Sequence, residues 1–224
     1  RRYGIDLPDR QLVCAPLDSP EAGQYLGAMR AAANFTYVNR QVMAHRVRDA
    51  FKSILGGTPS SLGMGLVYDV AHNIAKFERH EVQGRERDLC VHRKGATRAF
   101  PPGHPDIGPA YRDLGQPVFI PGDMGRYSYV LLGTQGAYEE TFGSTCHGAG
   151  RTMSRRQAKK SARSRNLRDE FDQQGIQVRA SSFKTVAEEI PEAYKDVADV
   201  VDVVDGAGIG KKVVRLRPLG VLKG

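Results

Sequence analysis

Cysteine is scarce and unpaired in this sequence. Its 224 residues contain Cys14, Cys90 and Cys146 at wide spacing, with no CxxC pair. An odd number of separated cysteines argues against a disulfide framework and against a self-contained zinc ribbon. We therefore expect the protein to work in a reducing, cytoplasmic compartment.

Long apolar runs are missing as well. No stretch reaches the roughly 18 to 20 consecutive apolar residues that a membrane-spanning helix requires, so we expect no transmembrane segment. The sequence starts RRYGIDLP, without an initiator Met and without the basic and apolar parts of a secretion signal. We interpret Arg1 as a boundary within a longer sequence and expect further residues upstream.

Acidic residues are absent from one stretch of the chain. Between Arg151 and Arg168 there are eight Lys or Arg residues and no Asp or Glu, whereas the rest has 25 basic and 25 acidic residues. The net charge of +8 is therefore concentrated in this segment. Such a concentration suggests a polyanion as partner, with a solvated basic helix face as the alternative.

The order of helices and strands predicts an α+β fold. Residues 31–55 carry apolar side chains at helical spacing, which predicts an amphipathic helix that ends at Gly56 and Gly57. Residues 66–70 predict a short buried strand with His72 and Asn73 at its end. The other predicted elements are a strand from Leu89 that leads into a Gly/Pro-rich loop, a hairpin over 117–133 with the turn PGDMG, a helix from the N-cap Ser154 to Gly175, a strand over 176–180, a helix from about Pro191 to Gly206 that carries Tyr194, and a terminal strand over 211–224. These elements alternate irregularly without a βαβ repeat or a domain boundary, so we expect one α+β domain of mixed sheets with flanking helices.

The stretch TFGSTCHGAGR sets His147 among small residues. Glycine and alanine leave the backbone open to a ligand, and a row of exposed N–H groups can hold phosphate oxygens. A neutral imidazole can attack phosphorus to form a phosphoramidate, and Arg151, one turn of chain away, could neutralise the charge. The residues alone leave three roles open for His147: a nucleophile, a metal ligand, or part of a structural turn.

Two other polar groups allow a functional and a structural interpretation. His72 and Asn73 at a strand end suit a metal or nucleotide contact, but a core histidine is equally compatible with the pattern. A metal at His72 would need further ligands from distant residues. The carboxylate of Asp123 could bind a metal or a base edge, although most Gly-Asp turns are only turns.

Basic residues outside the charged segment are equally open to two interpretations. Lys94 and Arg98 lie among small residues, which suits a phosphate contact or an exposed loop. Lys223 is either part of a frayed tail or held by a strand in which Leu219 and Val221 are buried.

The predicted helix after Ser154 places three cations on one face. Arg155, Lys159 and Arg163 follow at i, i+4 spacing, where like charges repel by a few tenths of a kcal/mol per pair. A bound anion could offset this repulsion.

Seven segments, taken in order, resemble one known family. They are LPDRQLVCAPLDS, ANFTYVNRQVM, VYDVAHNIAK, HRKGATRAFPPG, PGDMGRYSYVL, TFGSTCHGAGR and LRPLGVLKG. With these segments the chain resembles the RtcB family of RNA-splicing ligases, which join RNA ends with GTP and Mn²⁺. The likeness runs from one end of the sequence to the other.

The resemblance implies roles for individual residues. His147 would take GMP from GTP as a covalent adduct, and His72 would be a ligand in the manganese site. The nucleotide-binding set implied by the family is His72, Asn73, Pro121, Gly122, Asp123, Met124, Ser128, His147, Gly148, Ala149, Gly150 and Lys223. The cations that would contact RNA are Arg151, Arg155, Lys159 and Arg163.

The resemblance also implies a reaction and partners. Family members open a 2′,3′-cyclic phosphate, transfer the guanylate to the RNA 3′-phosphate, and join it to a 5′-hydroxyl with release of GMP, in tRNA splicing or RNA repair. Archease is an implied partner. The family's upstream metal ligands and Asn-His pair are missing here, so residues 1–224 are expected to be the C-terminal portion of one catalytic domain. Cys14 and Cys146 do not match the family's metal cysteine.

Two other functions remain open at this point. A non-catalytic RNA-binding relative would keep the fold and the basic face but would not form the covalent adduct. A zinc hydrolase is disfavoured because the sequence has no paired-ligand motif.

Overall fold

A computed structural model describes residues 2–9 and 11–223. The helices are α1 (Pro20–Leu55), α2 (Gln135–Thr141), α3 (Arg155–Ser161), α4 (Leu167–Gln173), α5 (Phe183–Glu188) and α6 (Val197–Gly206). The strands are β1 (Asn73–Val82), β2 (Arg85–Lys94), β3 (Ala96–Arg98), β4 (Pro117–Ile120), β5 (Ser128–Leu132), β6 (Ser144–Cys146), β7 (Gln177–Ala180), β8 (Lys211–Leu216) and β9 (Gly220–Lys223). Helices beside several small sheets confirm the predicted α+β class. Within these described ranges, no helix combines the length and the hydrophobicity that would let it cross a bilayer.

The strands form small separate sheets. The first is the antiparallel hairpin of β1 and β2, closed by Gln83 and Gly84, both with positive φ as a tight hairpin turn requires. Antiparallel pairs also join β3 to β6, β4 to β5, and β5 to β8. The last pair, β7 with β9, is parallel. The predicted hairpin around PGDMG is therefore confirmed as β4 and β5.

Two apolar clusters make up the core. In the first, Val118 and Leu131 of the β4–β5 hairpin pack against Val201 of α6, and all three are fully buried. In the second, Phe171 of α4 and Val178 of β7 cluster with buried side chains of α3 and α5. Burial of each such side chain contributes roughly 1.5–3 kcal/mol. The β4–β5 turn lies between the two clusters, since Ile120 belongs to the first cluster and Met124 to the second.

The basic segment folds as two helices rather than one. Ser154 caps α3 as predicted, and Gln157 completes a capping box with it. The predicted continuous helix to Gly175 is wrong because α3 ends at Ser161 and Asn166 caps a new helix, α4. The break lets both helices contribute buried side chains to the second apolar cluster.

Helix α1 is longer than predicted and its apolar residues are not covered. It begins at Pro20 after the N-cap Ser19, and only Ala22 and Leu26 are buried. The residues at helical spacing from which the helix was predicted are exposed: Phe35, Val38, Val42, Ala50, Phe51 and Ile54. The described residues therefore confirm the helix, but the apolar face that defined it lies open.

The strand predicted to end at His72 is wrong. Residues 65–72 are not in a strand, and β1 begins at Asn73. The preceding segment has a side-chain anchor instead of a strand partner: Arg40 of α1 donates to Asp69 Oδ1 at 2.7 Å and to the Val70 carbonyl. His72 and Asn73 thus stand at the start of a strand, not at its end.

The last part of the chain differs from the prediction in three places. Pro191 starts a short 3₁₀ turn, Tyr194 is extended, and α6 begins only at Val197. The terminal strand is two strands, β8 and β9. Leu219, predicted to be buried, is 74% exposed, because it lies in the connection between β8 and β9. The strand predicted over 176–180 is confirmed as β7.

Candidate functional site

Strand β6 places His147 beside the end of the β1–β2 hairpin. β6 pairs with β3 in the register Ala96↔Cys146, so His147 follows directly after the last paired residue. Gly95, with φ of +67°, faces it closely, since a Cβ there would stand 3.3 Å from His147 Nε2. The missing side chain at Gly95 therefore leaves room for the imidazole.

A cavity of about 500 Å³ opens beside His147. Of the residues implied by the resemblance, its wall contains 121–124, 147–151 and 223. We call this cavity the His147 pocket. Its volume falls in the range of pockets that bind small molecules. Glu189, Tyr194, Val221 and Leu222 complete the wall and were not among the predicted site residues.

Neither His72 nor Asn73 is part of the pocket wall, but His72 lies against the pocket's histidine. The rings of His72 and His147 have centroids 4.4 Å apart, with a tilt of 52°. Desolvation lowers the pKa of His72, and the positive potential of His147, Arg40 and Lys94 lowers it further. A neutral imidazole offers a free nitrogen lone pair at neutral pH. Asn73 Oδ1 accepts a hydrogen bond from Gly95 N at 3.0 Å and so ties down the loop beside the pocket.

The β4–β5 turn forms one wall of the pocket and is fixed from inside. Asp123 Oδ1 accepts from Gly125 N at 2.9 Å and from Arg126 N at 3.0 Å, and Oδ2 accepts from Arg126 Nε at 2.6 Å. The Asp123 side chain is only 1% exposed. Ser128 does not line the pocket, but its Oγ accepts from Gly122 N at 3.2 Å. Of the roles that the sequence left open for the Asp123 carboxylate, these contacts favour the turn.

Arg151, which also lines the pocket, is held by a set of polar contacts. Its guanidinium donates to Met153 O at 3.0 Å, to Tyr194 Oη at 2.8 Å and to Glu188 O at 2.7 Å. It also forms an ion pair with Glu189 at 3.3 Å. Tyr194 donates its hydroxyl proton to Glu189, and burial together with this hydrogen bond raises the pKa of Tyr194. The charge of Arg151 is therefore fixed in place at the pocket.

Two cations of α3, Arg155 and Lys159, are paired with carboxylates at the end of α5. Lys159 forms an ion pair with Glu188, and Arg155 lies 3.5 Å from Glu188 and 3.8 Å from Glu189. The hydrogen bond from Lys159 lowers the pKa of Glu188 below its usual value. The repulsion between like charges on α3 is thus offset within the chain. Arg163 lies beyond the end of α3 and is exposed.

Lys223 is held by strand pairing. β9 runs parallel to β7 with Ala180 opposite Lys223, and Ser181 N donates to Lys223 O at 3.1 Å. Lys223 is half-buried and lines the pocket, and the half-buried Val221 lines it as well. Of the two interpretations of this residue, the structure favours the held strand over the frayed tail.

Lys94 and Arg98 have separate environments. Lys94 ends the hairpin opposite Asn73 and is exposed. Arg98 turns inward, donates to Gln116 Oε1 at 3.0 Å and stacks over the Phe100 ring at 4.6 Å. Of these two residues, only Lys94 has an exposed side chain.

His72 is the metal ligand that the resemblance implies, and its side chain is exposed. Among residues 2–9 and 11–223, no group of three or more His, Cys, Asp or Glu side chains lies close enough together to hold a metal ion. The described residues therefore do not form a complete manganese site. Burial raises the pKa of Cys146, which disfavours the thiolate that a metal would need.

Comparison with known proteins identifies relatives along the whole chain. The family described as "tRNA-splicing ligase RtcB" matches residues 1–224. A tRNA-splicing ligase RtcB of Archaeoglobus fulgidus is 58% identical over 224 residues, which are all of this chain and 46% of that protein. Proteins of the same name from Pyrococcus abyssi and Thermococcus kodakarensis are 57% and 56% identical, and the chain covers 24% and 46% of their lengths. The chain thus spans about half or less of the length of these curated relatives.

Proposed function

The chain belongs to the tRNA-splicing ligase RtcB family, and from that premise we propose that it carries the nucleophile and most of the nucleotide pocket of a GTP-dependent RNA ligase. The observation that supports this most is the convergence of distant family-like segments on one cavity, the His147 pocket. In this proposal residues 1–224 are the C-terminal portion of a single catalytic domain. The reaction joins RNA 3′-phosphate or 2′,3′-cyclic phosphate ends to 5′-hydroxyl ends.

The first step is nucleophilic attack by His147. A ring nitrogen attacks the α-phosphorus of GTP, the bond from that phosphorus to the bridging oxygen breaks, and pyrophosphate leaves with the electron pair. The attacking imidazole loses one proton to solvent, which leaves a phosphoramidate of GMP with a neutral ring and one negative charge on the phosphoryl oxygens. The neutral state of an imidazole near pH 7 suits this attack because no general base is needed to activate it.

The pocket walls bind and orient the nucleotide. Gly148, Ala149 and Gly150 present an open backbone beside His147, which suits close approach of phosphate oxygens. Arg151 supplies a fixed positive charge next to them. Lys223 lines the same cavity and would contact the guanine end.

Manganese belongs to the proposal as a second cofactor. When bound, Mn²⁺ would neutralise charge on the triphosphate, and His72 would be one of its ligands. Because the described residues do not complete a metal site, the other ligands must come from outside them.

The later steps use RNA as substrate. The guanylate passes from His147 to the RNA 3′-phosphate, and the 5′-hydroxyl of the second strand then attacks that phosphate and expels GMP. The basic segment after His147 would bind the RNA backbone through Arg151, Arg155, Lys159 and Arg163. Archease, as a protein partner of the reaction, is part of the same proposal.

The test is covalent labelling of the full-length protein. Incubation with GTP labelled at the α-phosphate and Mn²⁺ should give acid-labile label, and His147→Ala should abolish it. His45→Ala is the matched control, because His45 is an exposed histidine of α1 far along the chain from the pocket. Label that survives His147→Ala would contradict the nucleophile assignment. A protein that binds RNA but never takes up label would favour the non-catalytic alternative.

A further inference from the structure

A buried ion pair lies next to the loop that leads to His147. Arg93 of β2 and Glu78 of β1 are joined by two hydrogen bonds, of 2.7 and 2.8 Å, and their side chains are 1% and 5% exposed. His80 Nε2 lies 3.2 Å from the same carboxylate. Burial alone would raise the pKa of Glu78, but the Arg93 guanidinium outweighs it and holds that pKa below its usual value. The pair is therefore charged, dry and fixed in orientation.

The outer side of the Arg93 guanidinium holds the loop between α2 and β6. Nε donates to Ser144 Oγ at 2.9 Å, and Nη2 donates to Phe142 O at 2.8 Å and to Gly143 O at 3.4 Å. With the two Glu78 oxygens, these make five acceptors around one side chain. Arg93 thus ties the β1–β2 hairpin to a loop about fifty residues further along the chain.

The loop held in this way is conformationally unusual. Phe142 has φ of +52°, a left-handed conformation that is costly for a residue with a side chain. Gly143 follows at +61°, and a Cβ there would meet the Phe100 ring at 2.4 Å. A turn that is both strained and crowded keeps one geometry only while its surroundings fix it. Strand β6, with just three residues, then joins this turn to His147.

We propose that Arg93, oriented by Glu78, is a positioning residue that fixes the turn at Phe142–Gly143 and thereby the place of His147 in the pocket. Arg93 lines no part of the His147 pocket, so it acts through the loop and not on the nucleotide. The inference rests on the proposed guanylylation of His147, because it concerns the approach of that imidazole to the α-phosphorus. Small displacements of an attacking group cost far more in rate than in ligand binding.

The experiment is single-turnover guanylylation of the full-length protein with α-labelled GTP and Mn²⁺. Rate constant and final labelled fraction are measured over a range of GTP concentrations for wild type, Arg93→Lys and Ser144→Ala. Arg93→Lys keeps the charge opposite Glu78 but loses the fork of donors to the loop. Ser144→Ala removes one acceptor of Arg93 together with the hydrogen bond that Ser144 Oγ donates to Phe142 O at 3.3 Å. Arg79→Met is the control, since Arg79 lies on the same hairpin in an exposed ion pair with Asp88.

A positioning role predicts a loss in rate and not in binding. The maximum rate constant of Arg93→Lys should fall by roughly 10- to 100-fold, with the half-saturating GTP concentration nearly unchanged. Ser144→Ala should show a smaller loss in the same direction, and Arg79→Met should match wild type. A purely structural role would instead lower the labelled fraction, since fewer molecules are folded, while the rate constant of the folded ones stays normal.

The outcomes separate this inference from the function on which it rests. If wild type takes up no label, the proposed ligase chemistry falls and the inference falls with it. If wild type is labelled and both variants keep its rate constant, the positioning role is wrong while the ligase proposal stands. Should Arg93→Lys fail to fold, Ser144→Ala decides alone, because it leaves the buried ion pair intact.

Discussion

Gly122 illustrates how single residues define the His147 pocket. A Cβ at this position would stand 1.9 Å from Tyr127 O, 3.0 Å from Tyr127 C and 3.1 Å from Val197 Cγ1. Two of these atoms are backbone, so they cannot move aside as the end of a flexible side chain can. The residue is glycine because the β4–β5 turn closes on itself and on α6 at this point.

This crowding predicts a strong effect for a small change. Gly122→Ala should lower the free energy of unfolding by more than about 2 kcal/mol, as expected for overpacking against backbone. Urea unfolding of the full-length protein measures it. Gly206→Ala is the control, because nothing lies within 4 Å of its Cβ and the residue belongs to α6, where alanine is favoured. Equal stability of the two variants would contradict the steric argument.

Glu189 and Tyr194 line the pocket but could not be identified from the sequence, because they lie far along the chain from His147. His147 and its small neighbours are contiguous, so their chemistry can be predicted from a short motif. Glu189 and Tyr194 reach the pocket because residue 151 forms an isolated bridge with Tyr194, more than forty positions later in the chain. No local periodicity reports such a contact. The sequence instead predicts a helix that includes Tyr194, because Val197 and Val201 further along the same segment have helical spacing.

At the scale of elements, the sequence predicts the N-cap of α3 but not the length of the helix. The capping box involves only the four consecutive residues from Ser154 to Gln157, so it can be identified from the local sequence. The end of the helix depends on Asn166 and on burial against α5, and both compete with a run of good helix formers. Helix α5 has only six residues and is not indicated by the sequence pattern, although its Glu188 is the partner of Lys159 and Arg155.

The pairing of α3 with α5 predicts opposite effects of two charge changes. Glu188→Gln should free Lys159 and Arg155, tighten RNA binding, and steepen its log–log salt dependence by roughly one unit per freed cation. Neutralising Arg155, Lys159 and Arg163 together should weaken binding and flatten that dependence, with guanylylation nearly intact. Filter binding at several salt concentrations measures both.

A control and a contradicting result follow from the same structure. Asp202→Asn removes a carboxylate paired with Lys212 on another part of the surface, so RNA binding should change little. An unchanged salt slope in the triple variant would show that the RNA lies elsewhere.

At the scale of the whole molecule, α1 stands out by its exposed apolar surface. Phe35 is 75% exposed and Ile54 is 81% exposed, along a helix with two buried residues. Contiguous exposed apolar surface on a protein marks an interaction site or promotes association. The amphipathic pattern could be predicted from the sequence, but the exposure of the face could not, because helical spacing tells which residues share a face and not what packs on it.

We expect a protein limited to residues 1–224 to self-associate through this face. Phe35→Lys with Val42→Lys should raise the monomer fraction, as sedimentation velocity would measure. Asn34→Lys with Gln41→Lys is the matched control, because it adds the same charge at exposed polar positions of the same helix. If the control raises the monomer fraction as much, charge repulsion and not loss of apolar contact explains the effect.

The parallel pairing of β9 with β7 has a consequence for biosynthesis. Lys223 reaches the pocket only when residues 220–223 lie beside residues 177–180, so one wall is supplied by the last strand of the described chain. Pairings between distant segments form late because the intervening loop must first close. A ribosome that stalls before residue 220 would therefore release a chain with His147 in place but an open cavity. Nucleotide capture would in this way report that synthesis has passed residue 223.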